Sequence, residues 1–436
     1  MKIQRIQLNN YRCFENIEID FHDSLTVLVG NNGAGKTAVL EGITVALGTL
    51  FTGLDGLSGI SINKKDARLK AYQMGESEDV QAQYPVDIIA EGDVDGKVIH
   101  WKRSLNGESG STTVKDAKPL LNIAKEYQEK LRSGDRNLIL PVMAYYGIGR
   151  MWDYHREKKT DTFKVNTKTN GYIDSLDGTA NIKLMMNWFR KKTVQMAQKN
   201  ADGLNSVLEL RAVYWAMETC FALITGYSNI KVLYNLDTNE LDCYYSDETG
   251  AQMTIPLSQM SAGYKSTISL VADIAYRMAI LNPQLGTAVL RDTDGIVLID
   301  EVDLHLHPAW QHRILSDLRE IFPRVQFVVT SHAPAVISSV KSENLVVLDD
   351  YEVRDVTSEI YGNDINSILT GVMGVSDRNP KIAKLFDQFY SFLNNGQYDE
   401  AEDILDEIDQ QREYHDKEVA AGRVKLKLER IRGGKK

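Results

Sequence analysis

Cysteine is scarce in this chain: Cys13, Cys220 and Cys243 are the three among 436 residues. So few, odd in number and widely spaced, they exclude a disulfide framework and a thiolate metal site, and they fit a reducing cytoplasm. Each reads as a small buried apolar residue and not as a reactive thiol. Long apolar runs are missing too. No stretch approaches the roughly 18 apolar residues of a membrane-spanning helix. The opening MKIQRIQLNNYR has no apolar core segment, so a secretory signal is not expected there. Repeats and low-complexity tracts are absent. So is any basic excess: the net charge is −10, which does not advertise a nucleic-acid binder, although a local basic groove is compatible with it. No sustained heptads lie between Thr37 and Ser261, which excludes a long coiled-coil arm.

What remains is an ordinary globular composition, 43% hydrophobic and 25% charged, long enough for two or three structural units. Residues 3–8 and 17–21 alternate apolar and polar side chains and read as strands. SLTVLVG is a buried strand, followed by a Gly-rich turn and a helix from Lys36 to Leu47. Residues 86–103 predict a hairpin around Asp95-Gly96, residues 117–133 a helix, and LPVMAYYGIGR a strand that ends in a loop. Residues 180–226 read as helical and 229–256 as strands. Then come a long helix opened by MSAGYKS, the buried strand GIVLIDE, a proline-opened helix PAWQHRILSDLREIF, the strand VQFVVTSH and the strand NLVVLDD, which closes the sheet. The alternation predicts an α/β fold with a mixed sheet.

Three motifs carry chemistry. GNNGAGKT spans Gly30, Asn31, Asn32, Gly33, Ala34, Gly35, Lys36 and Thr37, and it fits the phosphate-binding pattern G-x-x-x-x-G-K-[ST] between a strand and a helix. Backbone N–H groups converge on phosphate there, and the helix N-terminus adds partial positive charge. Lys36 is positioned to bridge the β- and γ-phosphates and Thr37 to ligate Mg²⁺. GIVLIDE ends in two carboxylates, a costly end for a buried strand unless they face a ligand. Asp300 is expected to hold Mg²⁺ through water and Glu301 to act as general base on water. VVTSH aims His332 at a γ-phosphate. Ser261 and Gly263 in MSAGYKS, taken alone, suit a plain helix cap and close packing. His305 and His307 have metal-ligand spacing but no evident third ligand.

The order of these segments resembles the ABC-type ATPases of the RecF/SMC group. MSAGYKS resembles that group's signature, Met260 to Tyr264 matching Leu-Ser-Gly-Gly-Gln, with Ser261 and Gly263 kept and the other three changed. The resemblance implies that Ser261 and Gly263 bind the γ-phosphate held by a second subunit, that Asp303 is the D-loop acid, and that Arg12 lies near the nucleotide. It implies an ABC-type ATPase head, a mixed sheet with a P-loop core, with a helical subdomain insertion and a helical C-terminal tail. The corresponding segments are an N-terminal lobe at 1–150, a helical and β insertion at 151–256, a C-terminal lobe at 257–350 and a helical segment at 351–436. The Q-loop residue stays unassigned, because Gln83 follows no clear strand whereas YYGIGR follows one. Within the group the chain resembles the compact ATPase subunits (PtuA-type) of Septu anti-phage systems, on YYGIGR, MSAGYKS and DEVDLHLHP.

The expected function is therefore an ATP- and Mg²⁺-dependent hydrolase of the cytoplasm. It dimerises, or assembles further, around nucleotide and regulates a separate nuclease subunit, without a membrane. No carboxylate cluster or His-Asn-His pattern offers a nuclease site in the chain itself. Two rivals stay open: a RecF-like ATPase that binds DNA in repair or maintenance, and a nucleotide-binding scaffold with little turnover. The C-terminal tail follows an acidic cluster, Asp399 to Glu407, and has three readings. It packs on its own head, docks a partner, or touches nucleic-acid phosphate through Lys425, Lys427, Arg430 and Arg432. Val424, Leu428 and Ile431 share one helical face, which suits the first two.

Overall fold

A run as apolar as LTVLV has to be covered on both faces, and the strand it forms is buried along that run. The computed structural model describes residues 1–436 except 76, 152–166, 179–181, 202–206, 248, 355–359, 375–378, 411–416 and 434–436. In chain order the strands are β1 (Lys2–Tyr11), β2 (Phe14–Asp20), β3 (Leu25–Gly30), β4 (Leu69–Met74), β5 (Ser77–Ala82), β6 (Val86–Val94), β7 (Lys97–Leu105), β8 (Val142–Tyr146), β9 (Ser228–Asn235), β10 (Glu240–Ser246), β11 (Gln252–Pro256), β12 (Gly295–Ile299), β13 (Val325–Thr330), β14 (Leu345–Asp349) and β15 (Glu352–Arg354). By internal packing the chain divides into two units, Met1–Asn363 and Asp364–Lys436. Three of the expected segments, up to residue 350, fall inside the first unit.

The central six-stranded sheet has the order β15-β14-β3-β13-β12-β8. The five strands from β14 to β8 pair in parallel and only β15 is antiparallel. Parallel pairing sends five carboxyl ends to one edge, the edge at which open α/β sheets hold ligands. This is the α/β ATPase-head architecture that the motif order implied. Glu352–Arg354, expected in the helical tail, is instead the edge strand of this sheet. A second, antiparallel sheet runs β2-β1-β6-β7. The helix Lys36–Leu47 is buried at every residue except Thr37 and Glu41, because elements of both sheets pack against it. Trp101 of β7 donates its indole N–H to the Ala46 carbonyl at 3.0 Å, so burial of that polar atom costs little.

The third sheet, β11-β10-β9, lies beside the helices Ile182–Ala201 and Leu208–Thr225. Phe189 and Tyr214 stack between them, ring centroids 5.7 Å apart. The long helix Ala262–Leu281 packs on Leu208–Thr225. Two local expectations are corrected. PAWQHRILSDLREIF is two helices, Pro308–Gln311 and Ile314–Ile321, and not one. Gln83 does follow a strand: β4 and β5 form a hairpin that ends at Ala82. That hairpin is exposed on both faces. It therefore has no apolar alternation to read.

In the second unit the helices Pro380–Asn394, Tyr398–Gln410 and Lys417–Gly433 share a core of Phe386, Phe389, Leu393, Ala401, Leu405, Ile408, Val419 and Leu426. Each large side chain fully buried there contributes about 1.5–3 kcal/mol. Of the two readings that the face of Val424, Leu428 and Ile431 suited, packing within the chain is not what it does: these residues are 60%, 52% and 61% exposed, while Val419 and Leu426 turn inward. Ion pairs join the same helices at their surface. Arg423 meets Asp406 at 2.7 Å and Asp409 at 2.8 Å, and Arg430 meets Asp399 at 2.6 Å and Glu402 at 2.8 Å. The acidic cluster and the basic tail neutralise each other. Arg430 is thus committed inside the chain and Lys425 lies over the Tyr390 ring at 5.2 Å; the side chain of Arg432 lies outside the described residues. Among the described residues no helix is long and apolar enough to cross a membrane.

Candidate nucleotide site

The site is assembled at the carboxyl edge of the parallel sheet. After β3 the chain exposes Asn31, Asn32 and Gly33, and Ala34 N–H closes the turn on the Asn31 carbonyl at 3.1 Å. Gly35 then adopts a left-handed conformation, φ 96°. A side chain there would meet the Phe14 ring at 2.3 Å and Cys13 Sγ at 2.8 Å, so only glycine fits. The following helix has no side-chain cap and no acid in its first turn. Its first N–H groups lack intrahelical acceptors and face outward with the positive end of the dipole. Lys36 folds over this loop and donates from Nζ to the Gly30 and Asn31 carbonyls at 2.8 and 3.0 Å. Burial pulls its pKa down, and Asp300, Glu301 and Asp303 oppose that pull.

Asp300 follows β12 and is 2% exposed. One carboxylate oxygen accepts from the Thr37 hydroxyl at 2.7 Å and the other from the Thr330 hydroxyl at 2.6 Å. Thr37 and Asp300 are hard oxygen donors in contact, a fitting donor pair for Mg²⁺ held together with phosphate oxygens. Thr330 also accepts from the Glu301 N–H at 2.7 Å. Glu301 itself has a left-handed backbone, φ 48°, a conformation that costs a non-glycine residue about 1–3 kcal/mol. This kink turns Glu301 away from the line of β12. Asp303 accepts from the Ser331 hydroxyl at 2.6 Å. His332, next in sequence, is half-buried; burial and then the Lys36 charge hold its imidazole below the usual 6.5, against the pull of Glu301, Asp303 and Asp300. A neutral imidazole, able to accept and to donate, is the form favoured at neutral pH.

Lys36, Thr37, Asp300, Glu301, Asp303 and His332 are thus brought together. Thr330 is the member that sequence reasoning missed; its only signal is a polar residue ending the apolar strand VQFVVT. Removing its hydroxyl takes one hydrogen bond from Asp300 and one from the Glu301 N–H, a loss of about 1–3 kcal/mol per bond. Thr330→Val is accordingly expected to lower steady-state turnover about tenfold or more, with a smaller change in ATP affinity, and Thr330→Ser to recover it. Equal turnover in Thr330→Val and wild type would remove Thr330 from the site.

Arg12 sits in the β1–β2 turn with φ 55°. It is ion-paired with Glu41 of the phosphate-loop helix and with Asp66, the latter at 3.1 Å. The structure therefore places it against that helix, with carboxylates as its immediate partners. YYGIGR leaves β8, the neighbour of β12, and the Tyr146 carbonyl accepts from the Asp300 N–H at 2.8 Å. His307 caps its short helix by accepting from the Ala309 N–H at 3.3 Å. Among the described residues no group of three or more His, Cys, Asp or Glu is placed to hold a metal by itself.

Ser261 stands at the N-cap of the helix Ala262–Leu281, yet its side chain makes no capping hydrogen bond. The plain cap reading therefore has no bond behind it, and the hydroxyl is exposed. Gly263 has a packing reason: a Cβ would lie 2.7 Å from the His305 carbonyl. Tyr264 packs on Trp310 in a tilted contact, centroids 4.5 Å apart, and meets Phe221 edge-on at 6.0 Å. The signature turn is thereby seated on the segment that follows Asp303. Further along the same helix, Asp273 accepts from Tyr146 Oη and from Arg277 Nε, both at 2.7 Å. That buried network ties the signature helix to β8.

An AAA-domain family model matches residues 5–210, and a second AAA-domain model matches residues 155–338. The chain is 25% identical to the retron Vc95 probable ATPase of Vibrio cholerae, over 92% of this chain and 85% of that one. It is 22% identical to the Septu protein PtuA of Bacillus thuringiensis, over 90% and 89%. Over 43 residues, 10% of this chain and 12% of the other, it is 44% identical to the DNA replication and repair protein RecF of Lactococcus lactis.

The chain is an ATPase that resembles the RecF/SMC group. In this ATPase the AAA-domain matches embrace the phosphate loop, Asp300, Glu301 and His332, and they stop before the second unit.

Proposed function

We propose that this ATPase binds MgATP between two copies of the chain, hydrolyses it there, and uses the resulting closure and opening to govern a partner nuclease in anti-phage defence. The observation that carries the ATP chemistry is the Asp300 carboxylate held between the hydroxyls of Thr37 and Thr330, beside Lys36. The phosphate-loop N–H groups and Lys36 bind and orient the β- and γ-phosphates. Thr37 and Asp300 hold Mg²⁺, which supplies neutralisation of phosphate charge when bound. Glu301 takes the proton from the attacking water as the γ-phosphoryl group leaves ADP. His332 orients that water and the phosphate oxygens through its neutral ring. The exposed Ser261 hydroxyl and the uncapped helix behind it complete the site of the opposite chain, with Gly263 keeping the turn close to the Asp303 segment. The likeness to a Septu PtuA and a retron ATPase supports the defence setting and the nuclease partner.

Phosphate release by the purified chain, with Mg²⁺ and with chelator, tests this reading. Wild type is expected to hydrolyse ATP only with Mg²⁺, and Lys36→Ala to do so in neither condition. Wild-type turnover in Lys36→Ala would contradict it.

A further inference from the structure

The sheet order fixes which way a bound nucleotide must run. Asp300, Glu301 and His332 follow β12 and β13, all to one side of β3. A γ-phosphate attended by them lies on that side, so the α-phosphate and the base leave toward the other. There the neighbour of β3 is β14, parallel to it, with Leu348 opposite Gly30. The turn that ends β14 therefore emerges at the same edge as the phosphate loop. It consists of Asp350 and Tyr351, both left-handed, at φ 46° and 65°, joining β14 tightly to β15.

Tyr351 is 48% exposed. Its ring stands edge-on to Phe14, centroids 6.4 Å apart at 86°. Phe14 is the ring that presses on Gly35 of the phosphate loop. Phe14 is itself buried, so one core ring holds both Gly35 and the exposed Tyr351, and it seats Tyr351 beside the phosphate loop. The turn also carries Asp349 and Asp350. Their carboxylates repel phosphate, so this turn suits the uncharged end of the ligand.

We propose that Tyr351 stacks on the purine base of the bound nucleotide and sets the preference for a nucleotide over bare polyphosphate. The assignment rests on the ATP reading above. Nothing about the spacing of the sequence motifs points to it, since Tyr351 lies beyond all of them.

The test compares ADP with inorganic pyrophosphate by calorimetry in Mg²⁺. Tyr351→Ala is expected to weaken ADP roughly 5- to 100-fold, the usual worth of base–aromatic stacking, while leaving pyrophosphate affinity unchanged. Tyr351→Phe and Tyr351→Trp are expected to bind ADP as wild type does. Unchanged ADP affinity in Tyr351→Ala overturns the assignment. So does an equal loss for ADP and pyrophosphate, which marks a disturbed phosphate loop. Wild-type protein that binds neither ligand overturns the ATP reading itself.

Discussion

Glu301→Gln is expected to keep ATP on the protein and to lower turnover about 10²- to 10⁴-fold, the usual contribution of a positioned general base. The amide has nearly the shape of the carboxylate, and the Glu301 N–H still donates to Thr330. The proposed grip on phosphate and metal through Lys36, Thr37 and Asp300 is left in place, with the Thr37–Asp300–Thr330 bonds intact. What the amide cannot do is accept the water's proton. Nucleotide retained after rapid desalting, set beside phosphate release, separates the two effects. The ATP-loaded variant is also expected to accumulate as a dimer by light scattering, since in the proposed cycle opening follows hydrolysis. Wild-type turnover in Glu301→Gln would deny Glu301 its role.

Ser261→Arg is expected to be equally inactive for a different reason. Ser261 is exposed and makes no capping bond, so the substitution should leave folding and single-chain nucleotide affinity intact. The long cationic side chain would stand where the other chain's γ-phosphate has to enter. Turnover is then lost because closure fails, and the dimer seen with Glu301→Gln should vanish when Ser261→Arg is added. A Ser261→Arg chain that hydrolyses normally would return MSAGYKS to a merely structural turn.

The phosphate loop and the Asp300–Glu301 pair were legible in the sequence because their chemistry is local. Strand, loop and helix follow one another within GNNGAGKT, and GIVLIDE ends a buried strand in charge. A mixed α/β sheet was legible through the alternation of strand and helix, but its strand order was not. What escaped depends on contacts between distant segments. Thr330 matters only because β13 lies beside β12, so that its hydroxyl bridges Asp300 and Glu301. Tyr351 gains meaning only once β14 is known to neighbour β3. β4 and β5 bury neither face and so carry no period. In the tail, apolar spacing alone did not tell the inward face from the outward one: Val419 and Leu426 join the core, and Val424, Leu428 and Ile431 stay exposed.

The central claim is that each ATP site is built by two chains, with Lys36 from one and Ser261 from the other. Mixing Lys36→Ala protein with Ser261→Arg protein tests it most directly. Each is expected to be inactive alone. In a heterodimer one site combines an intact phosphate loop with an intact signature turn, so the mixture should regain turnover in proportion to the heterodimer formed. Heterodimers that demonstrably form and still release no phosphate would contradict a shared site.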